Sequence, residues 1–303
     1  MCGRFVASRA VEDIADLMDV DDIDVPEELI PPRFNISPQA GVLAVANRRV
    51  KRPEDEEPSV AAQAGERLYR RRLTVYQWGL VPSWAKDPAV GNRSFNARAE
   101  TLAEKPAFRT ALAKRRCLIP ADAFYEWEKV PAASGLLSKP KRSNGVARLP
   151  WCFRPADGGL LAFAGLWEAW RAPRTAAAGA EGAARRDPVE GDHDESAGWH
   201  DDWLLSCSII TTAANDVVAT LHDRMPVVLQ PSDYEAWLEP TPLDPGELGA
   251  LLSPPPEGYL AGYRVGSDVN NSRLDDPMMV EPLALGHETA PQATAPTLFD
   301  LPG

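Results

Sequence analysis

The second residue is the one whose place most changes its chemistry. The chain reads Met1-Cys2-Gly3-Arg4-Phe5. Aminopeptidases remove a start methionine when the next side chain is small, which would make Cys2 the first residue. It would then carry a free amine and a thiol on adjacent carbons, a pair no internal residue offers. An α-amine titrates at roughly 8 and an unperturbed thiol at about 8.5, so both are close to working nucleophiles at neutral pH. A thiolate attacks carbonyls and disulfides, and an amine forms Schiff bases. Together they close on an aldehyde to give a five-membered thiazolidine. Position alone also allows Cys2 to be an arbitrary second residue on a frayed end.

Such a residue must be held by something. Val11, Ile14, Ala15 and Met18 recur at helical spacing and predict a short amphipathic helix. Residues 31–38, Pro-Pro-Arg-Phe-Asn-Ile-Ser-Pro, read as loop. A second helix is expected to start near Pro106 and to end on Lys114-Arg115-Arg116, where cations suit the helix dipole. Strands are expected over 73–78, 117–119, 124–128, 151–154, 160–170, 203–211, 226–229 and 263–265, with short helices over 214–221 and 233–238. Many short strands with few helices predict an α+β fold, one domain of mainly antiparallel strands. Strict β-α-β alternation and a Gly-rich phosphate fingerprint are both absent. Trp78, Trp167 and Trp170 are assigned to the core.

The chain has 303 residues, 44% of them hydrophobic, enough for one large domain or two small ones. Cys2, Cys117, Cys152 and Cys207 lie far apart with no CxxC pair, which argues against a zinc ribbon or a disulfide scaffold. The last three sit in apolar runs and read as buried thiols. No signal peptide opens the chain, and no apolar run approaches the roughly 20 residues of a membrane span. A soluble protein of a reducing compartment is expected. Net charge is −12, yet residues 67–129 hold 13 Lys and Arg against 6 Asp and Glu. That block is compatible with a local anion-binding face or with ordinary surface charge.

Three segments read as insertions: 51–65, charged and polar; 131–150, rich in Ser, Lys, Pro and Gly; and 173–202, rich in Ala, Gly and acid. His193 and His200 fall in the third and His287 in the tail, which leaves His222 as the one candidate catalytic histidine. The expected domain spans 2–282, followed by a disordered tail, 283–303.

Five motifs occur in order: Cys2-Gly3-Arg4-Phe5; Trp78-Gly79-Leu80-Val81-Pro82-Ser83-Trp84; Asn96-Ala97-Arg98-Ala99-Glu100-Thr101; Cys117-Leu118-Ile119-Pro120-Ala121-Asp122-Ala123-Phe124-Tyr125-Glu126-Trp127; and Leu221-His222-Asp223-Arg224-Met225-Pro226. Together they resemble the SRAP family, the SOS-response-associated peptidase-like proteins, which shield abasic sites in single-stranded DNA. The resemblance implies that Cys2 condenses with the C1′ aldehyde of the open abasic sugar, the amine giving a Schiff base and the thiol closing a thiazolidine. It implies Glu126 as the acid–base residue, His222 as a proton shuttle and Asn96 as the residue holding Cys2 or the sugar. It further implies Arg98 and Arg224, with Arg4, as phosphate contacts and Trp127 as a stacking aromatic; Trp84 is a second candidate platform. Between Tyr125 and Trp127, Glu126 would be desolvated and its pKa raised; the residues alone equally allow a solvent-facing strand glutamate. Asn96 equally reads as a helix cap.

Several relatives carry two adjacent aromatics where this chain has Trp84-Ala85. No metal or organic cofactor is implied, and a monomer in a bacterial cytoplasm, at the nucleoid, is expected. In the tail, Pro296-Thr297-Leu298-Phe299 resembles a sliding-clamp binding peptide, although Ala295 stands where the glutamine is expected. Two other classes stay open: an N-terminal-nucleophile amidohydrolase or amidotransferase, and a non-covalent single-stranded-DNA binding module. Peptidase activity, if any, would be confined to removal of Met1.

Overall fold

The computed structural model describes residues 2–26, 31–50, 68–131, 146–172 and 203–283. In chain order the first half contains β1 (Phe5–Ala7), α1 (Val11–Leu17), β2 (Asp22–Asp24), β3 (Arg33–Ile36), β4 (Gly41–Arg49), β5 (Tyr69–Trp78), β6 (Asn96–Arg98) and α2 (Arg109–Lys114). Next come β7 (Arg116–Ala121), β8 (Ala123–Pro131), β9 (Val146–Pro155), β10 (Leu161–Arg171) and β11 (Trp203–Ala213). The C-terminal part holds α3 (Asp216–Ala219), β12 (Arg224–Pro226), β13 (Val228–Leu229), α4 (Tyr234–Leu238), α5 (Pro245–Leu251) and β14 (Leu260–Arg264).

Five strands close on themselves. β5 pairs β4 (Leu43↔Val75), β4 pairs β7 (Val45↔Leu118), β7 pairs β10 (Ile119↔Phe163) and β10 pairs β11 (Trp167↔Cys207). A short parallel contact, Cys207↔Trp78, returns β11 to β5 and completes a barrel. Closure removes the unpaired edges that an open sheet would expose. Side chains alternate across each strand. On β7, Cys117, Ile119 and Ala121 join the cluster filling the barrel, and Leu118 joins the outer one. The outer face is covered by Ile14 of α1, Leu112 of α2 and Trp237 of α4. With both faces covered, β7 is buried at every position, which is why it reads as an unbroken apolar run.

A second sheet, in the order β14-β9-β8-β1-β3, lays one face on the same inner cluster. Phe5 meets Trp78 edge-on at 5.1 Å and Phe163 at 5.9 Å. Such aromatic pairs add about 0.5–1.5 kcal/mol beyond area burial. The other face, with Val6, Tyr125 and Cys152, is covered by Val269 and Met279. The chain crosses from barrel to second sheet at Asp122, whose carboxylate accepts from Ser8 N (2.6 Å) and Arg9 Nε (2.7 Å).

The α+β expectation of mainly antiparallel strands holds, and Trp78, Trp167, Trp170, Cys117, Cys152 and Cys207 are buried. Four local expectations need correction. Residues 33–36 form β3 instead of loop, because pairing with β1 (Phe5↔Ile36) supplies what local propensity lacks. The second helix begins at Arg109, with Phe108 at its N-cap, so Pro106 precedes it. Asn96 opens a strand on β11 (Ile209↔Asn96) and caps no helix. Pro131 and residues 146–150 belong to β8 and β9, so strand reaches into the predicted 131–150 insertion. Residues 132–145, the 51–65 and 173–202 insertions, His193, His200, His287 and the tail motif lie outside the described residues.

Four cations of the basic block are engaged internally. Arg72 pairs Asp22 at 2.7 Å, and Arg71 donates to Met18 O at 3.0 Å. Arg115 pairs the buried Glu168, and Arg116 donates to the carbonyls of Leu112, Trp237, Glu239 and Thr241. Counting charges along the chain could not separate these clamps from outward cations.

Gly165 sits where β10 passes closest to β7. A Cβ there would stand 2.8 Å from Cys117 Sγ and 2.9 Å from Ile119 Cδ1. Gly165→Ala is expected to destabilise by about 1–3 kcal/mol through overpacking, read by urea denaturation. Adding Cys117→Ala should return part of that loss; an unchanged midpoint in the single variant would refute the packing.

Candidate active site

Cys2 is delivered by β1. Phe5 and Val6 pair with Phe124 and Ala123 of β8, and Tyr125 N donates to Arg4 O at 3.0 Å. Continued two residues back, this register sets Gly3 beside Glu126. Asn96 Nδ2 donates to the Cys2 carbonyl at 2.7 Å. Asn96 is itself fixed by the parallel pairing of β6 on β11. Its Oδ1 is buried without a hydrogen-bond partner, an acceptor still open to a donor. Cys2 has no exposed surface and belongs to the inner core cluster. Burial, with the Glu126 charge second, pushes its thiol up to about 12.

Glu126 is 3% exposed. Burial pushes its carboxyl up to about 7, so both protonation states are populated at neutral pH. The source of that desolvation differs from the one its sequence neighbours suggest. Tyr125 and Trp127 lie on the opposite face of β8, with Cys152 and Val269, because successive strand side chains alternate. Glu126 is dried from the Cys2 side, where the inner cluster lies.

His222 follows α3. Asn215 caps this helix by accepting from Val218 N at 3.2 Å, and His222 N donates to Val218 O at 3.0 Å. Val217, Val218, Leu221 and Met225 pack into the cluster that contains Cys2. The backbone N–H of Arg224 donates to His222 Nδ1 at 2.9 Å, which places the neutral ring's proton on Nε2. Asp223 Oδ1 also lies 3.1 Å from Nδ1. Both cannot bond that nitrogen in one state: the neutral ring accepts from Arg224 N, and the protonated ring donates to Asp223. Burial lowers the His222 pKa, so the neutral form prevails at pH 7. The Asp223 charge also acts on Glu126 and raises its pKa further, which ties the His222 turn to the Cys2–Glu126 pair.

The cations fall into two groups. Arg4 Nη1 donates to Asn35 Oδ1 (2.6 Å) and Val269 O (2.8 Å), and its guanidinium lies 5.8 Å from the Trp127 ring centroid. Trp127 Nε1 donates to Asn270 Oδ1 at 2.5 Å. Arg224 directs Nη1 and Nη2 to the Glu100 carboxylate and Nη2 to Thr211 O. Those bonds hold Glu100 below the usual carboxylate range. Arg98 is exposed on β6 nearby, and its charge acts on Glu100 as well. Trp84 is 64% exposed. The following Ala85 is buried and accepts from Trp170 Nε1 at 2.7 Å, so that position has no outward side chain.

Thus Cys2, Asn96 and Glu126 come together, the His222 turn packs on the same cluster, and Arg4 with Trp127 lines the reverse face of β8. Arg98 and Arg224 form a second group around Glu100. Among the described residues, Trp84 makes no hydrogen bond or ring contact to either group. Three residues passed without a role in the sequence: Asn35, which holds Arg4 and donates to Leu274 O at 2.8 Å; Asn270; and Glu100. Glu100 stood inside a motif, but its partner is 124 positions away. Among the described residues, no group of three or more His, Cys, Asp or Glu could hold a metal ion.

The site is thus a closed barrel of an α+β fold that holds Cys2 near a buried glutamate. The chain belongs to the SOS response associated peptidase (SRAP) family, whose model matches residues 1–272. It is 33% identical over 281 residues to the abasic site processing protein YoqW of Bacillus subtilis, covering 93% of this chain and 99% of that one. It is 28% identical over 271 residues to the abasic site processing protein HMCES of Pongo abelii, covering 84% of this chain and 66% of that one. The fold is also that of a solved protein from Bacteroides thetaiotaomicron, with a TM-score of 0.65 at 21% identity over 93% of this chain and all of the other.

The Glu126 shift sets a pH dependence. The ordinary value is 4.5 and the folded one about 7. Between them the folded chain binds more protons than the unfolded chain, so stability falls as pH rises through that window, by about 3 kcal/mol. Glu126→Gln should flatten this decline and be the more stable form at pH 8. Urea denaturation from pH 4.5 to 8 reads it, and a variant whose profile tracks the parent's would refute a buried carboxyl.

Proposed function

We propose that this protein recognises abasic sites in single-stranded DNA and crosslinks to them through Cys2 after loss of Met1. The observation that carries the reading is the Cys2 environment: its carbonyl is gripped by Asn96, and it lies against a buried glutamate that titrates near neutrality. The names of the relatives, abasic site processing proteins, agree with it.

The thiol is protonated at neutral pH, so in this reading the amine acts first. It adds to the C1′ aldehyde of the ring-opened sugar, and the carbinolamine loses water to give a Schiff base. Protonated Glu126 supplies the proton that carries the hydroxyl away. The thiol then adds to the protonated C=N bond; sulfur bonds C1′, the π pair goes to nitrogen, and the Glu126 carboxylate takes the S–H proton, which restores it. The net change is aldehyde plus aminothiol to thiazolidine plus water, which needs no oxidant, metal or organic cofactor. Neutral His222 relays protons on the same side. With C1′ tied up, the sugar no longer has the aldehyde that drives strand cleavage by β-elimination.

Asn96 holds the peptide bond after Cys2, so it positions the nucleophile and leaves the bond before it free to be cut. Peptidase activity in this reading is limited to removing Met1. Arg98 and Arg224 hold phosphates, Arg224 by exchanging Glu100 for a phosphate oxygen. Trp127 and the exposed Trp84 offer stacking surfaces, which tolerate any base. Arg4, bound to Asn35 and Val269 O, holds Trp127 in place. One chain supplies every group, so the protein acts as a monomer. No helix among the described residues is long and apolar enough to cross a membrane, and action at chromosomal DNA in a bacterial cytoplasm fits this chemistry.

Incubation with an oligonucleotide carrying one abasic site, followed by a denaturing gel, tests the reading. A heat-stable species is expected from the parent and none from Cys2→Ala, with adduct-free DNA binding retained. Glu126→Gln should slow its formation by about 10²–10⁴-fold. Intact mass showing Met1 still present on the crosslinked protein would overturn the mechanism.

A further inference from the structure

Two exposed cations face each other where β8 and β9 run together. Lys129 pairs directly with Arg148 in the antiparallel register. Like charges directly opposite each other on a sheet oppose folding. Neither residue makes an ion pair or side-chain hydrogen bond among the described residues, so nothing there offsets the repulsion. The nearest carboxylate in sequence, Glu128, points to the other face and accepts from Trp151 Nε1 at 3.1 Å. Residues 132–145, which join the two strands, include Lys139, Lys141 and Arg142 and no acidic residue.

Its place matters as much as its sign. Alternation on β8 puts Lys129 on the face that carries Trp127 and Tyr125. The Arg4 guanidinium lies on that face too, over Trp127. The Lys129 charge also reaches His222 and contributes to lowering its pKa. The pair therefore lies just beyond Trp127, the proposed stacking surface, on the same face of β8.

We propose that Lys129 and Arg148 are a phosphate-binding pair that holds the backbone of single-stranded DNA beside the lesion. The inference rests on the DNA-binding reading above. A phosphodiester backbone fits because its charges recur at a spacing that two neighbouring cations can meet, and because it relieves their mutual repulsion on binding. The interaction is sequence-independent, as a reader of lesions needs.

The test uses the full chain and an unmodified single-stranded oligonucleotide, with fluorescence anisotropy at several salt concentrations. Each phosphate neutralised on a single strand contributes about 0.7 to the slope of log K against log salt. The Lys129→Ala/Arg148→Ala double variant should lose about 1.4 from that slope, and Lys129→Arg/Arg148→Lys should keep it. Urea denaturation should show the alanine variant at least as stable as the parent. At saturating abasic oligonucleotide the parent and the alanine variant should both form the heat-stable crosslink, since Cys2, Asn96 and Glu126 are intact. An unchanged slope in the alanine variant overturns the proposal, as does an equal loss of slope on heparin, which would mark an unselective polyanion patch. If the slope falls but no variant crosslinks, the covalent reading fails and the phosphate pair stands.

Discussion

The whole arrangement depends on keeping one carboxyl group out of water beside the beginning of the chain. Glu126 at 3% exposure carries a cost: its ionised form is disfavoured, and its pKa rises to about 7. In the proposed mechanism that cost is also what makes it useful, since an ordinary carboxyl is almost fully ionised at neutral pH and has no proton to give. The desolvation exists only because β1 threads between β3 and β8. A chain end that frayed would wet the carboxyl and disperse the aminothiol together.

The barrel is what prevents fraying. Phe5 is locked against Trp78 and Phe163, so β1 is held by side-chain packing as well as by backbone pairing. Asn96 reaches Cys2 from a different strand, β6, whose position derives from β11. The site is thus built from three segments distant in sequence, each fixed by its own pairing. Preorganisation of this kind needs no closing motion to bring the groups together.

The arginines show how little sign alone conveys. Arg115 and Arg116 are buried and tie α2 and α4 to the barrel. Arg4 clamps the second sheet to the segment around Val269. Arg224 occupies a middle position: its guanidinium is satisfied by Glu100 and Thr211, but the Glu100 side of that contact is open to solvent. An ion pair open on one side can exchange its carboxylate for a phosphate. A guanidinium surrounded by backbone carbonyls cannot, because the leaving partner would be a buried, unsatisfied oxygen.

Motif order and the family resemblance single out Cys2, Asn96, Glu126 and His222 as candidates, and apolar patterning makes the long strands β5, β7, β8, β10 and β11 legible. Of these, β7 and β10 are buried on both faces and leave near-continuous apolar runs; β5 and β8 are buried over part of their length, and the apolar residues 73–76 and 123–125 carry their signal. The short strands β1, β3 and β6 were not, because three or four residues carry no periodic signal and form only when a neighbour pairs with them. The reactive possibility of Cys2 is a covalent property, set by its position in the chain. Which side dries Glu126, which nitrogen of His222 keeps its proton, and which arginines face outward were decided by tertiary structure alone. Burial and hydrogen bonding act through space, and the partners lie tens to hundreds of residues apart.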